Sequence, residues 1–151
     1  MLDDTDRRIL RHLLAEPDAP NATLAERAGV TTATLWRRLD RLRQTGAIRA
    51  IRPRIDWRKL GYEVEVSLRF TLDKSNPRAF DEFTAAARQV AEVTEIQSFL
   101  GSVDFRLSVI ARDMAHWQQI YREKILTLPH VADSDALMMV STVKETQGVP
   151  I

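Results

Sequence analysis

One run of this chain carries side chains suited to chemistry on another molecule: Thr31-Thr32-Ala33-Thr34-Leu35-Trp36-Arg37-Arg38, continued by Arg41 and Arg43. Leu35, Leu39 and Leu42 recur at helical spacing within it, so one face is built for burial while the other offers hydroxyls and guanidiniums. A DNA major groove accepts a helix of this kind. Its first turn reaches base edges. Thr32 and Thr34 can donate or accept there and touch a thymine methyl; Arg37 can grip guanine with two N–H groups, worth ~1–3 kcal/mol of discrimination. Arg38 and Arg41 lie further along and are expected on phosphates, which orient a protein without specifying sequence. Trp36 has two readings, cover for the back of the module or a contact with the sugar-phosphate wall.

Several elements must position that helix. A first helix is expected over Asp3–Ala15, with Ile9, Leu10, Leu13 and Leu14 as its inward stripe and Asp3, Asp4 and Asp6 in its first turn, where the helix dipole favours negative charge. Pro17 and Pro20 mark a loop. A second helix is capped by Asn21 or by Thr23, whose spacing to Glu26 forms a capping box, and Leu24, Ala25 and Ala28 face inward. Gly29 supplies a left-handed stop, Val30 fills the turn, and Thr31 is the N-cap of the third helix. Gly46 ends that helix. Ile48, Ile51 and Ile55 then suggest a short extended segment carrying Arg49, Arg52 and Arg54, which Pro53 restricts to a sheet edge. Thr31, Thr32, Thr34, Arg37, Arg38, Arg41 and Arg52 are thus the candidate DNA contacts.

The charge distribution agrees. The 151 residues carry a net charge of +1, yet residues 1–61 hold 13 Lys/Arg against 8 Asp/Glu, a balance of +5, while residues 62–151 stand at −4. Such asymmetry marks a basic module for a polyanion joined to an acidic module with another task. The segment 37–59 is steeper, with nine basic residues against Asp40 and Asp56. No cysteine is present, which excludes disulfides, thiolate zinc sites and a cysteine nucleophile. No apolar run approaches the ~18 residues of a membrane span, and the acidic start MLDDTDRRIL lacks a signal-peptide core, so a cytoplasmic protein is expected. No cofactor, metal or catalytic residue is expected.

Residues 62–151 read as a second module. Tyr62, Val64, Val66, Leu68, Phe70 and Leu72 alternate with polar residues as a half-buried strand. Asn76-Pro77 opens a helix with Phe80, Phe83, Ala87 and Val90 inward. A strand near Ile96–Leu100, a tight turn at Gly101–Asp104 and a strand through Phe105, Leu107 and Val109 follow. Asp113 caps a helix bearing Trp117, Ile120, Tyr121 and Ile125; Pro129 ends it, and Ala136–Val143 is the last strand. The order βαββαβ is a ferredoxin-like split unit, making the chain α+β. The last strand is apolar on both faces, Met138 and Val140 against Leu137, Met139 and Val143. With helices on one side of the sheet only, the other face needs a cover, and a second copy is the economical choice. The first module, near 60 residues, is also marginal alone. A homodimer is expected, and its two-fold symmetry suits a pseudo-palindromic operator in double-stranded DNA.

Taken together, Leu2-Asp3, Asp6, Ile9-Leu10, Leu24-Ala25-Glu26 and the run VTTATLWRRLDRLRQTGAIRA resemble the DNA-binding half of the Lrp/AsnC, or feast/famine, family of prokaryotic transcription regulators. That family's recognition helix reads S-x-x-x-v-x-R-R-v-x-x-L-x-x-x-G-v-I. Thr31 stands where Ser is usual, while Arg37-Arg38, Leu42, Gly46 and Ile48 fall in register, and Lys59-Leu60-Gly61 is similar to the end of the family's connector. The resemblance implies a winged helix-turn-helix domain over 1–61 and a βαββαβ domain of the RAM type over 62–151, which binds an effector and assembles dimers into octamers. It further implies a small effector, commonly an amino acid, near a loop that here is Gly101-Ser102-Val103-Asp104-Phe105. Backbone amides of such a turn can hold a carboxylate and Asp104 can pair an ammonium; equally, the loop is a plain turn in which Asp104 satisfies its own backbone. Ser134 is a further candidate for that pocket. Val103 and His130 depart from the family's pattern, which has an aromatic at the first position and commonly Gly at the second.

Two alternatives to a ligand-responsive regulator stand. An architectural, nucleoid-type DNA-binding protein would share every feature except the ligand response. The arrangement also resembles sirohaem decarboxylases, but those need cationic and histidine groups around a large tetrapyrrole, and His12, His116 and His130 are scattered over both modules with no paired acid and base.

Overall fold

Helical periodicity dominates the start of the chain and strand alternation the remainder. The computed structural model, which describes residues 2–53 and 55–144, divides into two compact units, one of residues 2–53 together with 143–144 and the other of residues 55–142. This division lies ahead of Gly61, where the charge balance turns. The 3-10 turn Trp57–Leu60 leads straight into the second unit, with Tyr62 N–H bonded back to the Trp57 carbonyl at 3.1 Å.

Three helices make the first unit: α1 Asp4–Ala15, α2 Asn21–Arg27 and α3 Thr32–Gln44. Ile9 and Leu13 of α1 meet Leu24, Ala25 and Ala28 around α2, and Leu35 and Leu39 of α3 close the core. Leu14 lies outside it, 43% exposed. The capping box expected at Thr23–Glu26 is absent. Helix α2 starts at Asn21 with Pro20 as its N-cap, no side chain caps it, and the Pro20 carbonyl takes the Leu24 N–H at 3.0 Å. A capping box forms instead on α1. Asp3 accepts from Asp6 N–H at 2.8 Å, and Asp6 accepts from Asp3 N–H at 3.1 Å. Residues 48–53 form no strand, for the described part of this unit offers no second strand and Pro53 has no N–H to give.

The second unit is a four-stranded antiparallel sheet, order β2-β3-β1-β4, with two helices on one face. Its elements are β1 Val64–Leu72, α4 Ala79–Ala87, β2 Val93–Ser98, β3 Phe105–Ala111, α5 Met114–Ile120 running into a π-helical turn Tyr121–Ile125, and β4 Val131–Met138. This is the ferredoxin-like α+β architecture. Val66, Leu68 and Phe70 of β1 and Leu107 and Val109 of β3 pack under Phe83 of α4 and Trp117 and Ile120 of α5. The Phe83 ring sits 5.1 Å from Phe70 and 4.8 Å from Phe105.

Several boundaries differ from expectation: β2 covers Val93–Ser98 in place of Ile96–Leu100, and β4 ends at Met138, ahead of Val143. Helix α4 begins after Arg78: Asn76 spends its side chain on Arg78 N–H (2.8 Å) and its carbonyl on Ala79 N–H (3.1 Å), making a turn before the helix. Phe80 is accordingly 38% exposed, at the rim of the core. The last strand begins at Val131, ahead of Ala136, because the ladder with β1 runs from Leu72–Val131 to Val66–Met138. Backbone pairing takes in Asp133, Ser134 and Asp135, which apolar alternation passes over. Leu137, Met138, Met139, Val140 and Val143 are all exposed.

Candidate DNA interface and effector loop

The turn into α3 is made by groups that can do little else. Gly29 sits at φ +66°, a left-handed conformation that costs a residue with a Cβ. Its N–H bonds to Glu26 O at 3.0 Å and Val30 N–H to Ala25 O at 2.9 Å, closing α2. Thr31 then caps α3: its hydroxyl oxygen accepts from Thr34 N–H at 3.2 Å and donates to the Thr34 hydroxyl at 2.9 Å. The hydroxyls expected at base edges are therefore unequal. Thr32 is exposed and uncommitted, whereas Thr31 and Thr34 are tied to each other.

Leu35, Leu39 and Leu42 are buried, so the helical period carries Ala33, Arg37, Asp40 and Gln44 to the outward face. Arg37 has no ion pair among the described residues, and Asp40 accepts from Gln44 Nε2 at 2.7 Å. Trp36 is 53% exposed on one flank and so does not cover the module's core. Arg49 and Arg52 are exposed beyond the end of α3.

Arg38 and Arg41, expected on phosphates, are placed otherwise. Arg38 Nη1 lies 3.0 Å from Asp6 Oδ1 and also holds Asp3, while Arg41 Nη2 holds Asp6 Oδ2. Asp6 is fully buried. The Arg38 hydrogen bond, helped by Asp6 N–H, lowers the Asp3 carboxyl to about 2. The same pairing with Asp3 and Asp6 pushes the Arg38 guanidinium further up. Asp6 is a residue whose role the sequence does not show: by position it is first-turn charge, and only its pairing with Arg38 and Arg41 of α3 shows what it faces.

In the second unit Gly101–Val103 project beyond the ends of β2 and β3, and the loop is closed by Phe99 N–H on the Asp104 carbonyl at 2.9 Å. Thr71 Oγ1 donates to the Ser102 carbonyl at 3.0 Å. The amides of Gly101, Ser102 and Val103 take no protein partner among the described residues. Asp104 does not face outward to meet an ammonium. It is 3% exposed, Oδ2 accepts from Leu72 N–H at 2.9 Å, and Oδ1 meets Lys74 Nζ at 2.9 Å. Burial works against its ionisation, but the Leu72 N–H and the Lys74 ammonium outweigh it and hold the carboxyl below its ordinary range. Ser134 lies on β4 opposite Phe70, and its neighbour Asp133 lies opposite Thr71. Asp133, in a strand that alternation began three residues later, is an exposed carboxylate opposite the Thr71 that bonds the loop.

The sheet face away from the helices carries Ser67, Arg69 and Thr71 of β1, Arg106 and Ser108 of β3, and Asp133, Asp135 and Leu137 of β4. Arg69 and Arg106 stand directly across from each other; Arg106 reaches Glu95 at 3.7 Å, and Arg69 has no ion pair among the described residues. Together with Ser67, Phe99, Val103 and Leu137 they line a cavity of about 340 Å³.

Comparison with known proteins follows the same division. A family model described as the Lrp/AsnC ligand binding domain matches residues 65–149, and one described as winged helix-turn-helix DNA-binding matches residues 2–49. The chain is 30% identical over 145 residues to a proline dehydrogenase transcriptional activator of Rhodobacter capsulatus, covering 96% of this chain and 94% of the relative. It is 27% identical over 150 residues to the leucine-responsive regulatory protein of Escherichia coli K12, covering 99% and 92%. Among solved structures, Escherichia coli AsnC superposes with a TM-score of 0.86 at 25% identity over 97% of both chains. A Neisseria meningitidis transcriptional regulator in complex with L-Met shares the fold, with a TM-score of 0.90 at 24% identity over 99% and 97%.

Proposed function

As this chain belongs to the Lrp/AsnC family of transcription regulators, we propose that it binds double-stranded DNA through α3 as a homodimer and that an amino acid or related metabolite controls the binding. The observation that carries the reading is Arg37. It is a guanidinium with no ion pair among the described residues, on the outward face of a capped helix, flanked by Thr32 and backed by Arg49 and Arg52 further along. Arg37 and Thr32 address bases, and Arg49 and Arg52 address phosphates. Its place of work is the cytoplasm.

Self-association is favoured by the outer sheet face. Arg69 and Arg106 sit side by side, like charges that repel across a strand pair, while Asp133, Asp135 and Glu95 lie on the same face. A two-fold copy brings acids to those arginines and covers Leu137 and Met139, both exposed. Dimers of this kind read pseudo-palindromic operators and, as in the family, assemble toward octamers.

The effector is received at Gly101–Val103. Open amides there suit its carboxylate, and Asp133 suits its ammonium, because Asp104 is already engaged by Leu72 and Lys74. A thermal-shift screen of the twenty amino acids and their close derivatives tests this. A ligand present at 100 times its dissociation constant adds ~2.7 kcal/mol, and Asp133→Asn abolishes that gain. A ligand whose shift survives Asp133→Asn sits elsewhere. The DNA reading is tested by Arg37→Ala, which weakens operator binding by ~1–3 kcal/mol at one base position; unchanged affinity and sequence preference would reject it.

A further inference from the structure

We infer that Asp6 sets how many cations α3 presents to DNA: from behind the helix it engages Arg38 and Arg41 and withholds both from phosphates. The inference rests on the reading of α3 as the DNA-contacting helix. A fully buried carboxylate in the first turn of a small three-helix unit is expensive to desolvate, and an apolar side chain would fill the place without that cost. Asp6 is nonetheless fully partnered. Its Oδ2 takes Asp3 N–H at 3.1 Å and the Arg41 guanidinium, and its Oδ1 takes Arg38 Nη1 at 3.0 Å. Asp3 takes the Arg38 guanidinium as well.

Two carboxylates and two guanidiniums therefore cancel at the junction of α1 and α3. Arg38 is 21% exposed, so only its edge meets solvent. Arg41 is 48% exposed, yet drawing either guanidinium toward a phosphate takes the partner from one oxygen of a buried acid, which opposes the exchange. Arg37, one residue away, points outward with no such tether. The consequence is selective. Phosphate contacts raise affinity for every sequence alike, whereas base contacts do not. Withholding two of the helix's arginines lowers affinity for random DNA and leaves the base-reading group untouched.

The test uses the full-length protein and a random-sequence duplex at rising KCl, because the slope of log K against log salt counts phosphates at about −0.9 each. Arg38→Gln and Arg41→Gln are expected to leave the slope within about 0.3 of the wild type, whereas Arg49→Gln flattens it by about 0.9. Asp6→Asn is expected to steepen it by up to about 1.8, two phosphates' worth, and to raise random-duplex affinity. A slope flattened by about 0.9 in either Arg38→Gln or Arg41→Gln overturns the inference. So does a folded Asp6→Asn protein, judged by circular dichroism, whose slope matches the wild type. Should Asp6→Asn fail to fold, the two glutamine variants decide the matter. A wild-type protein that binds no duplex at low salt defeats the reading of α3 itself, and a flat response to Arg49→Gln defeats only the assignment of Arg49.

Discussion

Replacing Asp104 separates a structural carboxylate from a ligand group. In Asp104→Ala the Leu72 N–H, on a residue 3% exposed, loses its acceptor. An unsatisfied buried donor costs about 1–3 kcal/mol. Lys74 is 56% exposed, so losing that ion pair adds no more than ~1 kcal/mol. The expected destabilisation of the second unit is about 1–4 kcal/mol. Asp104→Asn keeps an oxygen for Leu72 N–H and loses only the charge, which should cost about 1 kcal/mol. Denaturant unfolding of the two variants beside the wild type measures both, and the order wild type, Asn, Ala is the result to look for.

The acid dependence is a second readout of the same residue. The folded-state pKa of Asp104 lies below the ordinary value near 3.9, so its ionised form favours the folded state. That stabilisation is complete above the ordinary carboxylate range and is lost as pH falls through the lower folded value. The gap between wild type and Asp104→Asn should therefore be full at neutral pH and close in acid. A group that served only to bind an ammonium would behave differently: Asp104→Ala would unfold within about 0.5 kcal/mol of the wild type while its effector response vanished. That outcome would refute the structural role argued from the Leu72 and Lys74 contacts.

Three further outcomes are expected. Thr31→Ala removes the α3 cap and costs about 1 kcal/mol, whereas Thr31→Asp retains it; equal melting of the two would discount the hydroxyl bonds to Thr34. His130 stands at φ +62° with Nε2 2.6 Å from Glu82 Oε2, so His130→Gly and His130→Ala both lose that contact but only Gly relieves the backbone; Gly should melt higher, by about 1 kcal/mol in unfolding free energy. Phe83→Ala empties the ring cluster with Phe70 and Phe105 and should cost about 3–5 kcal/mol in chemical denaturation, with a smaller loss pointing to collapse of the site.

What was legible in the sequence was whatever one element decides by itself. The leucine stripe of α3, the Gly29 stop, the Thr31 cap and the inward positions of β1 and β3 all follow from spacing within a single segment, and all are present. The α2 cap was misread because Thr23 and Glu26 satisfy a pattern that Asp3 and Asp6 satisfy as well, and only the latter pair stands at a helix start. The start of β4 was misplaced because an edge strand is held by its neighbour's backbone. Asp133-Ser134-Asp135 shows no apolar alternation, yet it pairs with Arg69–Thr71. Extended residues 48–53 read as a strand but have no ladder partner in the described part of their own unit.

Three of the expected site residues, Arg38, Arg41 and Asp104, have partners within the protein for one shared reason, which bears on how such sites are built. A single sequence does not show which way a charged residue faces, so it leaves Asp104 open between a ligand and its own backbone and places Arg38 and Arg41 on phosphates. In both units a buried acid instead joins two elements: Asp6 joins α1 to α3, and Asp104 joins the start of β3 to the end of β1. Each anchors the segment that carries the site, and each is spent in doing so. In the function proposed above, contact with other molecules falls to their neighbours, Arg37 beside Arg38 on the helix and Asp133 opposite Thr71 in the sheet. A carboxylate placed this way holds geometry because removing either partner strands a buried charge or donor. On the proposed reading the motif residue fixes where the site is, and the residue next to it makes the contact.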